Sequence, residues 1–323
     1  MLDQKPEAVR RVTCIGAGPI GGGWAAHFLA QGYRVTSYLH DESEYDALMR
    51  LLETAWLSLE KIGLADGASM DLFAWTTDLE QAIEQAEFIQ ESVPEDLPLK
   101  QELYQRLGEV VDPRVVIASS TSGLSMTDIQ ARCATPERTL VAHPFNPPYL
   151  LALVEMIGGE KTSAQTVEWA EQFYRAAGKS PLLMKKEIPG FIATRLQEAI
   201  WREALHMVAN GEATVEQIDQ AVVNGPGPRW ALMGPCEIFH VGGGEGGMAY
   251  CLDQFGPALK LPWTRLVAPE LTPELRKAMV DGCIEMTKGQ DFATLSQKMN
   301  DGLVEIAKIK KRKTSSRPPS RNP

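Results

Sequence analysis

The sequence predicts an α/β protein whose first domain is built on a largely parallel sheet and whose second domain is all-helical. Three observations predict it. The 323 residues exceed one ordinary core, which points to two domains. Short apolar runs alternate with amphipathic stretches from Arg11 to Met184, the mark of βαβ units covered on both faces. After Lys185–Gly190 (KKEIPG) strand signals stop and helical spacing takes over. The expected domains are 1–186 and 187–309, followed by a basic disordered tail over 310–323.

Taken in order, Arg11–Ile15 (RVTCI) reads as a buried strand, Ile20–Gln31 as a helix and Arg34–Leu39 as a second strand. Glu42–Ile62 places Leu48, Leu51, Leu52, Trp56 and Leu59 at helical spacing. Phe88–Glu91, Val115–Ser119, Thr139–His143, Leu151–Ile157 and Pro181–Met184 complete the strands. Leu99–Val110 and Ser163–Ala177 read as helices between them, and the Pro-rich turn Pro144–Pro148 separates two strands. Pro189-Gly190 is a breaker pair. Beyond it Phe191–Asn210 is a long amphipathic helix, and Thr214 with Gln217 forms a capping-box signature for the next. The segment after Ala307, KIKKRKTSSRPPSRNP, is basic, rich in Pro and Ser, and without periodicity.

Composition narrows the function classes. The formal net charge of -10 argues against nucleic acid or an anionic membrane as the main partner. The five cysteines, Cys14, Cys133, Cys236, Cys251 and Cys283, show no C-x-x-C spacing. That pattern fits reduced thiols in a cytoplasm and offers no metal site. The polar stretch Met1–Arg11 has no signal-peptide core, and no apolar run is long enough to span a membrane.

The most informative local motif is Gly16-Ala17-Gly18-Pro19-Ile20-Gly21, a G-x-G-x-x-G that follows a predicted strand and opens a helix. This context is the Rossmann dinucleotide fingerprint. Gly16 permits the tight turn, Gly18 the approach of a pyrophosphate, and Gly21 close helix–strand packing. Ile20 opens the helix whose free N–H groups and positive dipole end face the phosphates. Counting to the end of the second strand puts the ribose-reading position on Leu39, followed by His40, Asp41 and Glu42. Asp41 serves if the turn is displaced by two residues. No lysine or arginine stands beside it to hold a 2′-phosphate, so NAD is expected rather than NADP.

Polar residues end three further strands, where an open α/β sheet places its ligands: Ser119–Gly123 (SSTSG), His143–Pro147 (HPFNP) and Leu153–Glu155 (LVE). A strand-end histidine with a carboxylate on a neighbouring strand suits acid–base work near neutral pH. Taken singly, each feature is ordinary: a structural histidine, a surface acid, a serine-rich turn.

Together GAGPIG, ESVPEDLPLK, SSTSGLS, HPFNPP, LVEMI and PGFIATRL, in that order, resemble the 3-hydroxyacyl-CoA dehydrogenase family from about residue 10 to about residue 260. The resemblance implies His143 as catalytic base, Glu155 as its orienting partner, Ser122 as the hydroxyl on the substrate oxygen and Asn146 as a positioning residue. Glu95 and Lys100 fall on family positions near the cofactor. It also implies a homodimer built mainly from the helical domain. Thr194 stands where the family often has asparagine.

Coenzyme A carries three phosphate groups, yet Glu42–Asp71 is acidic, with only Arg50 and Lys61 basic. The expected substrate is therefore a small free hydroxy acid. Similarity over RWALMGPCEIFHVGGGEGG points to one bearing a trimethylammonium group, L-carnitine, with L-gulonate or a short 3-hydroxyacyl-CoA as alternatives. A non-catalytic, crystallin-like NAD-binding protein is the alternative of another class. Cations of this kind are held by aromatic faces. Trp230, Phe239, Trp263 and Tyr149 are candidate walls, and Glu237 a candidate counter-charge.

Overall fold

The computed structural model describes residues 4–257, 261–262, 264, 270, 272–275, 277–278, 281, 288, 290 and 292–315. The chain divides into two compact units, Met1–Ile192 and Ala193–Pro323.

The first unit is an eight-stranded sheet in the order β3-β2-β1-β4-β5-β6-β7-β8. Its strands are β1 Arg11–Ile15, β2 Arg34–Tyr38, β3 Phe73–Thr76, β4 Phe88–Glu91, β5 Val116–Ser119, β6 Thr139–Pro144, β7 Leu153–Gly158 and β8 Ser180–Leu183. All neighbours run parallel except β6 and β7. The order reverses between β1 and β4, the switch point where such sheets bind ligands.

Residues of alternate parity feed two cores, one on each face. Val12, Cys14, Phe88, Val116, Leu140, Ala142, Val154 and Met156 pack under the helices α1 Pro19–Ala30, α2 Tyr45–Ile62 and α6 Ala164–Ala176. Ile15, Ile89, Ile117, Val141 and Ile157 pack under α3 Leu79–Ile83, α4 Leu97–Val110 and α5 Met126–Ile129. This two-sided burial makes the strands read as continuous apolar runs. Side-chain caps start the helices: Asp96 accepts from Leu99 N–H at 2.9 Å on α4, and Ser163 from Thr166 N–H at 3.0 Å on α6.

The second unit contains α7 Ala193–Ala209, α8 Val215–Asn224, α9 Gly227–Trp230, α10 Pro235–Gly242, α11 Gly247–Phe255 and a last helix, Phe292–Ser315. No strand occurs among its described residues. The Thr214–Gln217 capping box is present at the start of α8. Among the described residues no helix is long and apolar enough to cross a membrane.

Three features depart from the sequence expectation. The edge strand β3 and the short helix α3 were not anticipated. Four residues pairing with β2 alone give too short a pattern to register. The units part after Ile192 rather than after 186, because Phe191 is buried with the first unit's second core. Helix also continues through 310–315, which were expected to be disordered. Leu303, Ile306 and Ala307 lead into a Lys/Arg run, and such residues are good helix formers that suit a helix C-terminus. Residues 316–323 of the expected tail, and Cys283, lie outside the described residues.

Candidate active site

The glycine loop has the geometry its spacing predicts. Gly16 adopts φ 107°, and a Cβ there would lie 2.7 Å from the Ser92 carbonyl oxygen. A Cβ at Gly21 would lie 2.0 Å from the Gly16 oxygen, so only glycine lets α1 start against the turn. Around Gly18 the reverse holds: a Cβ would meet no atom within 4 Å, which leaves its face open to a ligand. Pro19 begins α1 and Ile20 follows it, so the loop and helix N-terminus offer the cradle that a dinucleotide pyrophosphate requires.

At the end of β2 Leu39 is fully buried. Asp41 is exposed and caps the turn Glu42–Glu44, accepting from Ser43 N–H at 2.8 Å. That hydrogen bonding holds its carboxyl below the usual carboxylate range. The Glu44 carboxylate accepts from His40 N–H at 2.9 Å. The two-residue displacement thus carries the acids just beyond the strand end.

Beyond the switch point the central feature is a pair. In the antiparallel register of β6 and β7, His143 stands directly opposite Glu155. His143 Nδ1 lies 3.0 Å from Glu155 Oε2, and a carboxylate can only accept, so Nδ1 carries the proton and Nε2 is left to work. Glu155 is fully buried, and its Oε1 accepts from Ile192 N–H at 2.8 Å. Phe145 and Phe191 flank the imidazole, with ring centroids at 5.5 and 5.3 Å. Phe191 itself sits at φ 48°, a conformation unusual for a residue with a side chain.

The serine-rich strand end is held by acids. Glu95 Oε1 accepts from Thr121 Oγ1 at 2.6 Å, from Ser122 N–H at 2.9 Å and from Gly123 N–H at 3.0 Å. Ser122 and Asn146 are both exposed, each on a loop that follows a strand of this sheet. Lys100 is buried on α4 and donates to Glu91 Oε1 at 2.6 Å, with Glu95 Oε2 at 3.8 Å. Glu91 also accepts from Ser119 Oγ at 2.6 Å and Val93 N–H at 2.8 Å. Lys100 is thus a buried anchor that organises the loop from within.

The sequence reading passed over Glu91, and with it a buried polar chain. Tyr174 donates to Gln90 Oε1 at 2.5 Å, Gln90 Nε2 to Ser120 Oγ at 2.9 Å, and Trp24 Nε1 to the same Ser120 oxygen at 3.2 Å. The one signal was two polar residues, Gln90-Glu91, ending an apolar strand. Their partners lie on other elements, where local spacing gives no hint.

In the second unit, Trp230 ends α9, while Glu237 and Phe239 lie on α10. All three are exposed. Glu237 and Phe239 are two apart on a helix and so do not share a face. The structure therefore does not gather them into one wall. Trp263 lies outside the described residues. Tyr149, in the first unit, is half-buried against the core that includes Trp24.

The 3-hydroxyacyl-CoA dehydrogenase NAD-binding domain model matches residues 11–188, and the C-terminal domain model of the same family matches residues 190–292. An L-carnitine dehydrogenase of Streptomyces coelicolor is 58% identical over 93% of this chain and 95% of its own length. One from Bacillus cereus is 48% identical over 94% of this chain and 93% of its own. Among solved structures, 5-formyl-3-hydroxy-2-methylpyridine 4-carboxylic acid 5-dehydrogenase, an NAD+-dependent dismutase, superposes with a TM-score of 0.80 at 28% identity. It covers 93% of this chain and 98% of that one.

Proposed function

The chain belongs to the 3-hydroxyacyl-CoA dehydrogenase family, and within it we propose that this NAD-dependent oxidoreductase oxidises L-carnitine to 3-dehydrocarnitine. The observation that carries the chemistry is the buried His143–Glu155 pair, set in register across β6 and β7. The observation that favours the substrate is the near-full-length likeness to carnitine dehydrogenases.

Bound NAD supplies the hydride acceptor. The substrate loses a hydride from its carbinol carbon and a proton from its hydroxyl, which leaves a carbonyl. His143 takes that proton at Nε2. Glu155 holds the imidazole in the required tautomer and stabilises the imidazolium that forms. Ser122 and Asn146 hold the reacting oxygen. Glu95 fixes the backbone on which Ser122 rides.

The cradle of Gly16, Gly18, Ile20 and Gly21 holds the pyrophosphate, while Glu95 and Lys100 shape the neighbouring loop. Asp41, at the end of β2, reads the ribose hydroxyls. The acids Asp41, Glu42 and Glu44 would repel a 2′-phosphate, which supports NAD over NADP. For the trimethylammonium group, aromatic faces are the fitting partners, and Trp230 is the one assigned to it.

Two copies pair through the second unit. Val223, Val241 and Phe239 are 65%, 60% and 57% exposed, apolar surface that a second copy of the chain would cover. The free thiols Cys14, Cys133, Cys236 and Cys251 support a cytoplasmic location.

The test compares NADH formation from L-carnitine, L-gulonate and 3-hydroxybutyryl-CoA on the unmodified enzyme. L-carnitine should show the highest kcat/KM. A higher value for either competitor ends the carnitine reading and leaves the dehydrogenase standing. No NADH from any of them favours the non-catalytic alternative.

A further inference from the structure

Lys179 lies between α6 and β8 and is buried, and its hydrogen-bond partners among the described residues are two backbone carbonyls. Its Nζ donates to the carbonyl of Pro148 and, at 3.1 Å, to that of Leu151. The ammonium also sits 4.8 Å above the ring of Trp24, on the helix that opens at the glycine loop. Burial pushes it down to about 7. His27 is buried nearby, donates from Nε2 to Ala177 O at 2.8 Å, and is held well below its ordinary range by burial and by Lys179. A buried ammonium is costly, and a fold that keeps one obtains something specific from its donors.

What those donors hold is the connection between the two strands of the acid–base pair. His143 is near the end of β6, Glu155 near the start of β7, and Pro148 and Leu151 lie between them. Asn146 is in the same connection, which is clasped from the other side too. A Cβ at Gly23 on α1 would lie 2.7 Å from Pro148 Cδ, so the connection rests directly on the cofactor helix. The next residue, Ser180, donates its N–H to Ala152 O at 2.8 Å and carries the clasp into β8.

We propose that Lys179 is a positioning residue for the dehydrogenase reaction, clamping the His143–Glu155 connection onto the cofactor helix so that Asn146 and the imidazole meet the nicotinamide in register. This rests on the dehydrogenase reading above. Lys179 acts through the carbonyls it holds.

Two variants approach the clamp from opposite sides. Lys179→Met keeps the length and apolar stem but removes both donors. Gly23→Ala pushes Pro148 away while leaving the lysine in place. Turnover with L-carnitine, NAD affinity and thermal unfolding are measured for each, and Lys179→Met is also measured in an Asn146→Ala background. The expected result is a kcat loss of roughly 10- to 100-fold, the cost of misplacing reacting groups by about an ångström. NAD affinity should stay unchanged. In the Asn146→Ala background the Lys179→Met loss should be much smaller, because both changes undo the same placement.

A folded Lys179→Met enzyme with unmodified kcat overturns the inference. So does an equal loss in both backgrounds, which a merely structural lysine would give. If Lys179→Met does not fold, Gly23→Ala decides: lowered kcat with intact NAD binding supports the clamp, and unmodified kcat ends it. An unmodified enzyme that makes no NADH from any of the three hydroxy acids overturns the dehydrogenase reading, and this inference with it.

Discussion

In the first unit Trp24, Phe28, Phe88, Tyr104, Phe173 and Tyr174 are all buried, with Trp24 stacked on Phe28 and Phe88 tilted against Phe173. In the second unit Trp201, Trp230, Phe239, Tyr250 and Phe255 are all exposed. The first unit also completes its buried polar pairs from its own residues, Glu91 with Lys100 and Glu155 with His143. The contrast teaches where each half obtains its free energy. The first unit has the two covered faces of a self-sufficient sheet domain. The second carries helices with exposed aromatic and aliphatic residues, and a second copy of the chain is the proposed cover.

The largest effect is expected in the first unit's chemistry. Glu155→Gln keeps the shape but loses the charge that supports the imidazolium, so kcat should fall about 10²–10⁴-fold. NAD affinity should hold. Steady-state kinetics beside a binding titration checks this, and an unchanged kcat would make Glu155 a bystander.

Next is the first unit's self-sufficiency. Lys100→Met leaves the Glu91 carboxylate buried without its cation, which should cost about 3–5 kcal/mol of stability. Urea unfolding of the variant measures it. A loss below about 1 kcal/mol, the worth of an exposed pair, would mean that water reaches the site.

The second unit responds to a different perturbation. Leu196 and Ile200 lie one helical turn apart on α7, and both are exposed. Leu196→Glu with Ile200→Glu should leave NAD binding in place and shift the protein from dimer to monomer in sedimentation. A monomeric unmodified protein would contradict the pairing outright. The smallest effect is expected at the cation. Trp230→Ala should raise KM for L-carnitine by the worth of one aromatic face, about 0.5–2 kcal/mol. KM for a hydroxy acid without the cation should stay put. Equal changes for both would remove Trp230 from cation recognition.

The parts of this molecule legible in the sequence were those whose signal is local. Gly16, Gly18 and Gly21 announce a turn, an open face and a close helix approach, and the structure has all three. Thr214 and Gln217 announce a capping box for the same reason. His143 and Glu155 were legible as strand-end residues, but their exact opposition depends on β6 and β7 running antiparallel, which no local pattern encodes. Glu91 gave only the weak signal of a polar strand end, and Lys179 gave none. Each is a polar residue whose partners come from distant segments: Ser119 and Lys100 for one, Pro148 and Leu151 for the other. At the end of β2, counting alone lands on Leu39, which is buried, while Asp41 stands exposed two residues further on.

The central claim is that His143, held by Glu155, is the base of an NAD-dependent oxidation. Its most direct test is the rate of NADH formation by His143→Gln against the unmodified enzyme, at saturating L-carnitine and NAD, with NAD affinity and thermal unfolding measured on the same samples. The account predicts a rate lower by about 10²–10⁴-fold with NAD affinity and folding intact. A folded variant that forms NADH at close to the unmodified rate would contradict it.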